Sequence, residues 1–224
     1  MLEQSARATI RWKTAGAHPN GLHAAPDGLW VIDQADNNLY EHSYEDGRVL
    51  RTIHTEADRA SGLTWDGEYV WIASTYNCLL LKVERHTGNT ILAFETPGAG
   101  VVPWGKPGQP RTGAHGLEWR DGSLWLATPP SGTMYQMDPS DGHVIRSFLG
   151  PGFRPHGLAW QEDDLWCVET NLRAFFRYRI DLGEAVEKLT IDGPEPHGMT
   201  IHDGHFWYCD ANTREVATVP LNTA

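Results

Sequence analysis

Apolar and polar residues alternate along this chain in short runs with a period of two, and no stretch shows the period of about 3.6 expected of an amphipathic helix. Phe176, Tyr178 and Ile180 alternate with Arg177 and Arg179, the signature of a half-exposed strand. These runs recur in a fixed register. An apolar-Trp pair returns at Trp30, Trp71, Trp125, Trp166 and Trp207, with spacings of 41, 54, 41 and 41. Ten residues before each Trp begins a segment NGL, SGL, HGL, HGL or HGM, and an acidic turn such as Asp121-Gly122 lies just before each Trp. Seventeen residues after the first four come Gly47, Gly88, Gly142 and Gly183. Each unit therefore reads strand, tight turn, strand, strand, Gly turn, strand.

Four short antiparallel strands in roughly 40 residues make a propeller blade. The chain is expected to be all-β, a single domain over 1–224, folded as a five-bladed β-propeller with blades starting near 20, 61, 115, 156 and 197. The last unit ends before a fourth strand can form. Residues 7–12 (RATIRW) precede Asn20 by the interval at which EAVEKL precedes His197. The N-terminal strand is thus predicted to complete the last blade and close the ring. An open solenoid is the alternative, but solenoids need distinct capping repeats.

Composition narrows the function. The 10 Trp and 23 Gly suit short strands joined by tight turns, and no apolar run reaches membrane-spanning length. A formal charge of −11 disfavours a phosphate backbone or an anionic membrane surface as partner, which leaves a small molecule as the expected ligand. Residues 1–11 contain no signal-like apolar stretch. The odd count of cysteines (Cys78, Cys167, Cys209) has no CxxC spacing, so a reducing cytoplasm is the expected compartment. There is no GxSxG elbow, Walker loop, dinucleotide fingerprint or HExxH helix.

The register places two rings of side chains around one mouth of the channel. The strand-start ring is Asn20, Ser61, His115, His156 and His197; the strand-end ring is Asp33, Ser74, Thr128, Glu169 and Asp210. Three consecutive blades thus direct a histidine at the mouth, two of them beside a carboxylate. Converging imidazoles and carboxylates form a ligand set for a divalent ion such as Zn, Mn, Fe, Ni or Mg. On this reading His115, His156 and His197 hold the metal, while Glu169 or Asp210 is the proton acceptor or a further ligand, and Asn20, Ser61 and Asp33 contact substrate. The alternative is that His-Gly recurs because the blade recurs, although Asn20 and Ser61 build the same turn without histidine.

A 13-residue surplus falls between the second and third units, in AGVVPWGKPGQPRTG just before His115. Its Pro and Gly content predicts an irregular loop on the site face, with Trp104 positioned to cover a ligand. Arg173 and Arg214 occupy equal positions after Glu169 and Asp210, where they are expected to meet an anionic substrate group at the rim.

The phrases PHGLAWQEDDLWCVET and PHGMTIHDGHFWYCDA resemble the repeat of virginiamycin B (streptogramin B) lyases, in which a Pro-x-Gly-Ile start leads into a Leu-Trp-Phe-Thr-Glu strand. The likeness extends over all five units at the level of the repeat. It implies metal-assisted elimination at the channel mouth, with His156, His197 and Glu169 on the matching positions. Those lyases have seven blades, and five give a narrower channel. Plant-type glutaminyl cyclases look similar in having five blades, and the peptide-amidating lyase in its zinc-binding channel histidines. The expectation is therefore a metal-dependent enzyme acting on a small organic molecule, most simply a lyase. The alternatives are a non-catalytic binding propeller and a lactonase-type hydrolase.

Overall fold

A computed structural model describes residues 1–221. The chain opens with two short strands, β1 (Leu2–Ala6) and β2 (Thr9–Lys13), which precede the first repeat. Blade one is β3 (Pro19–Ala25), β4 (Gly28–Asp33), β5 (Asn38–His42) and β6 (Val49–His54), and blade two is β7 (Ala60–Trp65), β8 (Val70–Ser74), β9 (Leu79–Val83) and β10 (Thr90–Glu95). Blade three is β11 (Gly116–Arg120), β12 (Ser123–Thr128), β13 (Thr133–Met137) and β14 (Val144–Leu149). Blade four is β15 (Pro155–Gln161), β16 (Asp164–Glu169), β17 (Ala174–Arg179) and β18 (Glu184–Ile191); the fifth contributes β19 (Pro196–His202), β20 (His205–Asp210) and β21 (Glu215–Pro220). Each innermost strand packs on the next, and β19 returns to β3, which makes a five-bladed β-propeller.

The N-terminus closes the ring as the repeat spacing predicts. Strand β2 pairs antiparallel with β21, with Thr9 opposite Thr218 and Lys13 opposite Glu215. The seam is also packed: the Trp12 ring stacks on His42 with centroids 4.6 Å apart, so a residue of the last blade's outer strand contacts blade one. The preceding residues do something the repeats do not announce. Strand β1 adds to blade four, running parallel to β18 with Leu2 opposite Glu187 and Ala6 opposite Ile191. It covers that blade's outer edge with main-chain hydrogen bonds.

The recurring tryptophans pack between blades. Trp30 meets Trp65 across blades one and two (centroids 5.9 Å), Trp125 meets Trp160 across three and four (5.1 Å), and Trp166 meets Phe206 across four and five (4.8 Å). Such tilted and edge contacts suit the aromatic quadrupole. Middle strands are enclosed on both faces, as all six residues of β4 and of β12 are buried, whereas β10 and β14 lie at the wet perimeter.

The glycine after each strand-start residue explains how five blades reach the axis. A Cβ at Gly116 would collide with the His156 carbonyl, one at Gly157 with His197 and Met199 backbone, and one at Gly198 with Gly21, so neighbouring inner strands touch backbone to backbone.

Candidate functional site

The site grows from the loop that enters each inner strand. In blades four and five the strand-start residues are His156 and His197, both almost fully buried. His156 Nδ1 lies 3.0 Å from the Arg154 carbonyl and His197 Nδ1 lies 2.9 Å from the Glu195 carbonyl. A carbonyl only accepts, so each ring carries its proton on Nδ1 and bears a lone pair on Nε2. Thr170 donates its hydroxyl to the Pro196 carbonyl at 2.7 Å and packs 3.2 Å from His156 Nδ1, bracing that ring.

His115 completes a row of three. Its Nδ1 approaches His156 Nε2 at 3.0 Å and the rings meet edge to face, with centroids 4.7 Å apart; His156 and His197 are 4.3 Å apart. With His156 Nε2 accepting, His115 donates from Nδ1, and its buried Nε2 is left without a partner. All three rings are held neutral. Burial, followed by the Arg154 charge, lowers His115 to about 3. Burial and the neighbouring cationic forms push His156 well below its usual value, and burial with Arg154 does the same to His197.

These rings floor a cavity of about 190 Å³ at the channel mouth, which also takes in His18, Asn20, Gln34 and Arg154. Val102, Trp104, Gln109 and Pro110 of the insertion also line it, together with Tyr76.

The remaining expectations divide. Asn20 lines the cavity, and its Oδ1 accepts the Ser61 hydroxyl at 2.8 Å; Ser61 is wholly buried beside it and does not line the cavity. The strand-end carboxylates are turned away into backbone work. Glu169 accepts from the N–H groups of Arg154 (2.7 Å) and Leu172 (2.6 Å). Asp210 accepts from Glu195, Asn212 and Thr213, and Asp33 from His18, Ala35 and Asp36. With their lone pairs aimed at N–H donors, these three side chains fasten the loop entering each blade to the turn leaving its second strand. Glu169 and Asp210, expected as base or ligand, and Asp33, expected at the substrate, thus hold backbone in this structure and do not line the cavity.

Arg173 and Arg214 are likewise turn residues. The fourth residue after each strand-end position is left-handed in every blade: Asn37 (φ 59°), Cys78 (59°), Gly132 (62°), Arg173 (50°) and Arg214 (63°). The recurrence belongs to the turn, and neither arginine lines the cavity.

The metal expectation meets a different arrangement. His156 Nε2 faces a His115 donor, and His197 Nε2 faces Nη2 of Arg154 at 3.2 Å. Among the described residues, the trio whose ligand atoms all lie within 4.8 Å of one another is Asp138, Asp141 and His143 on the blade-three perimeter turn, not the three channel histidines. The donor set has the right chemistry, with neutral rings anchored through Nδ1. Its lone pairs do not converge on one point.

Arg154 is the residue the two rings leave out. It stands two positions before His156, in a register that also holds His18, Arg59, Gly113 and Glu195. Stepping the repeat back by two residues from the histidines finds it. Its Nη2 also meets Glu195 Oε1 at 3.0 Å.

No family model and no curated protein matches the sequence. Solved structures do match in fold. Glutaminyl cyclase from Myxococcus xanthus superposes with a TM-score of 0.75 at 12% identity, over 97% of each chain. A catalytically inactive histidine-to-alanine variant of virginiamycin B lyase from Staphylococcus aureus, with quinupristin, gives 0.57 at 19% identity over 91% of this chain and 66% of that one. The Cps50 (Swd1) β-propeller domain of Myceliophteria thermophila gives 0.55 at 12% identity over 95% and 99%. The chain is similar to all three as a β-propeller.

Proposed function

We propose that this propeller is an enzyme that binds a small organic molecule at the channel mouth and acts on it by proton transfer, with elimination as the reaction class. The observation that carries the reading is the pair His156 and His197, each fixed by a backbone carbonyl in the tautomer that leaves Nε2 bare of hydrogen at the cavity floor. Two supports come from outside the geometry: the repeat resembles that of streptogramin lyases, and a histidine-to-alanine change left a protein of similar fold catalytically inactive.

His197 is the ring placed to act. Once Arg154 turns from His197 to the substrate, Nε2 takes a proton from the carbon beside a substrate carbonyl; the C–H electron pair becomes the new C=C bond, and the leaving oxygen departs with its bonding pair and takes a proton from the His197 imidazolium so formed. Burial and Arg154 together weaken that base in the free protein. Neutralising the Arg154 field in the complex restores basicity.

A second reading keeps a divalent cation on His115, His156 and His197. The partnerless buried Nε2 of His115 favours it. Like the first reading, it requires Arg154 to leave His197. A panel of β-substituted carboxylic acids, esters and lactones, assayed by the absorbance of the unsaturated or ring-opened product with and without chelator, tests both. Turnover that survives chelation and is lost in His197→Ala supports proton transfer by the protein. Turnover lost on chelation and regained with metal supports the cation. Binding without turnover in any condition contradicts both and makes the protein a binding module.

A further inference from the structure

The charge inventory of the cavity differs sharply from that of the chain. The protein carries a formal charge of −11, yet among the described residues no Asp or Glu lines this cavity, and its one Lys or Arg is Arg154. The other polar groups facing it are imidazoles, Asn20, Gln34, Gln109 and Thr112. A cavity lined by a guanidinium and by no carboxylate favours negative charge, less the part that Glu195 offsets from 3.0 Å away.

The guanidinium is placed and only partly spent. The Arg154 backbone is pinned by Glu169, and one nitrogen, Nη2, carries both the 3.0 Å contact to Glu195 and the 3.2 Å contact to His197. Nη1 has a long 3.5 Å contact to Asn171 Oδ1. Nε and the second hydrogen of Nη1 remain as donors for a carboxylate, and Nη2 joins them when it turns from His197 to the ligand. Glu195 offsets part of the positive charge, which matches a singly charged ligand better than a phosphate dianion. Tyr76, Val102 and Trp104 add aromatic and apolar surface to the same cavity.

We infer that the ligand of this site is a small organic monocarboxylate carrying an apolar or aromatic group, with its carboxylate on Arg154 and its apolar part against Trp104. The inference rests on the proposed mouth site and names its substrate class. At about 190 Å³ the cavity lies below the roughly 300–1,000 Å³ of drug-sized sites, so the ligand is correspondingly compact.

The probe pair is phenylacetate and its neutral isostere phenylacetamide, titrated by calorimetry into the full chain while the imidazole resonances of His156 and His197 are followed by NMR. The expected result is that phenylacetate binds at least about tenfold more tightly than the amide, since a charge-assisted pair exceeds a neutral one. Arg154→Gln should erase that preference and Arg154→Lys should keep part of it. Both probes should shift the two histidines. Equal affinity of acid and amide in the wild-type protein, a preference that survives Arg154→Gln, or no binding of phenylacetate at millimolar concentration overturns the inference. The wild-type comparison needs no variant to fold. If the amide alone binds and shifts the histidines, the mouth site stands and the carboxylate assignment fails. If phenylacetate binds without moving either histidine, the mouth site itself is wrong.

Discussion

The backbone N–H of Arg154 donates to Oε1 of Glu169 at 2.7 Å, across the gap between the loop entering blade four and the end of that blade's second strand. The same bond recurs one blade on, from Glu195 to Asp210 at 2.7 Å, and in blade one from His18 to Asp33 at 2.6 Å. Each acid holds the main chain of a residue whose side chain stands at or beside the mouth. The three carboxylates are the frame, and the residues they fasten, with Asn20, His156 and His197 two positions later, stand at or beside the mouth.

Glu169→Gln is therefore expected to act first on stability. An amide in place of the carboxylate presents one N–H₂ to a backbone N–H and costs about 1–3 kcal/mol. At about 2–4 °C per kcal/mol for a chain of this size, the melting temperature should fall by several degrees. An unchanged melting temperature with turnover reduced by two orders of magnitude or more would restore Glu169 as a general base.

Truncation separates the two N-terminal strands. Removing residues 1–6 uncovers the edge of β18 and leaves the ring closed; removing 1–13 also takes away β2 and the Trp12 contact with His42. The shorter deletion should lower the melting temperature modestly. The longer one should lower it much further and promote self-association through the bared edge of β21. Equal melting temperatures for both truncated chains would show that β2 contributes nothing to closure.

Glu118 provides a pH test away from the mouth. It is buried on β11, three residues along from His115, and burial raises its carboxyl to about 8 against the opposing bonds from Trp119 and Thr64. A raised folded-state value means that its contribution is intact below the unfolded value of about 4.5 and is lost as pH rises toward 8, at roughly 1.4 kcal/mol per pH unit as an upper limit. Glu118→Gln should thus stabilise the protein near pH 7.5 and do little near pH 4.5. Thermal melts at both values check this; an equal shift at each would mean that Glu118 is ionised in the fold.

Much of this was readable from the chain because a propeller is a repeat, and a repeat fixes register. The Trp positions, the glycine after each strand start and the RATIRW strand each follow from the 41-residue spacing, as does the convergence of His115, His156 and His197. Register does not say which way a side chain points. Glu169 and Asp210 occupy the expected ring, but a carboxylate at a strand end beside several free backbone N–H groups satisfies those first. Arg173 and Arg214 match in position because each blade needs a left-handed residue there. Strand β1 is not legible in the sequence because LEQSA carries no repeat signal, and its parallel pairing is main-chain chemistry with little side-chain specificity.

The most direct test is the protonation of the imidazole nitrogens of His156 and His197, read by ¹⁵N NMR on the full-length protein near neutral pH. The geometry requires both rings to be neutral, with the proton on Nδ1 and bonded to the Arg154 and Glu195 carbonyls, and with Nε2 unprotonated at the cavity floor. Observation of that tautomer in both rings would supply the lone pairs that the proposed chemistry uses. Rings protonated on Nε2, or charged at neutral pH, would have no lone pair facing the mouth and would contradict it.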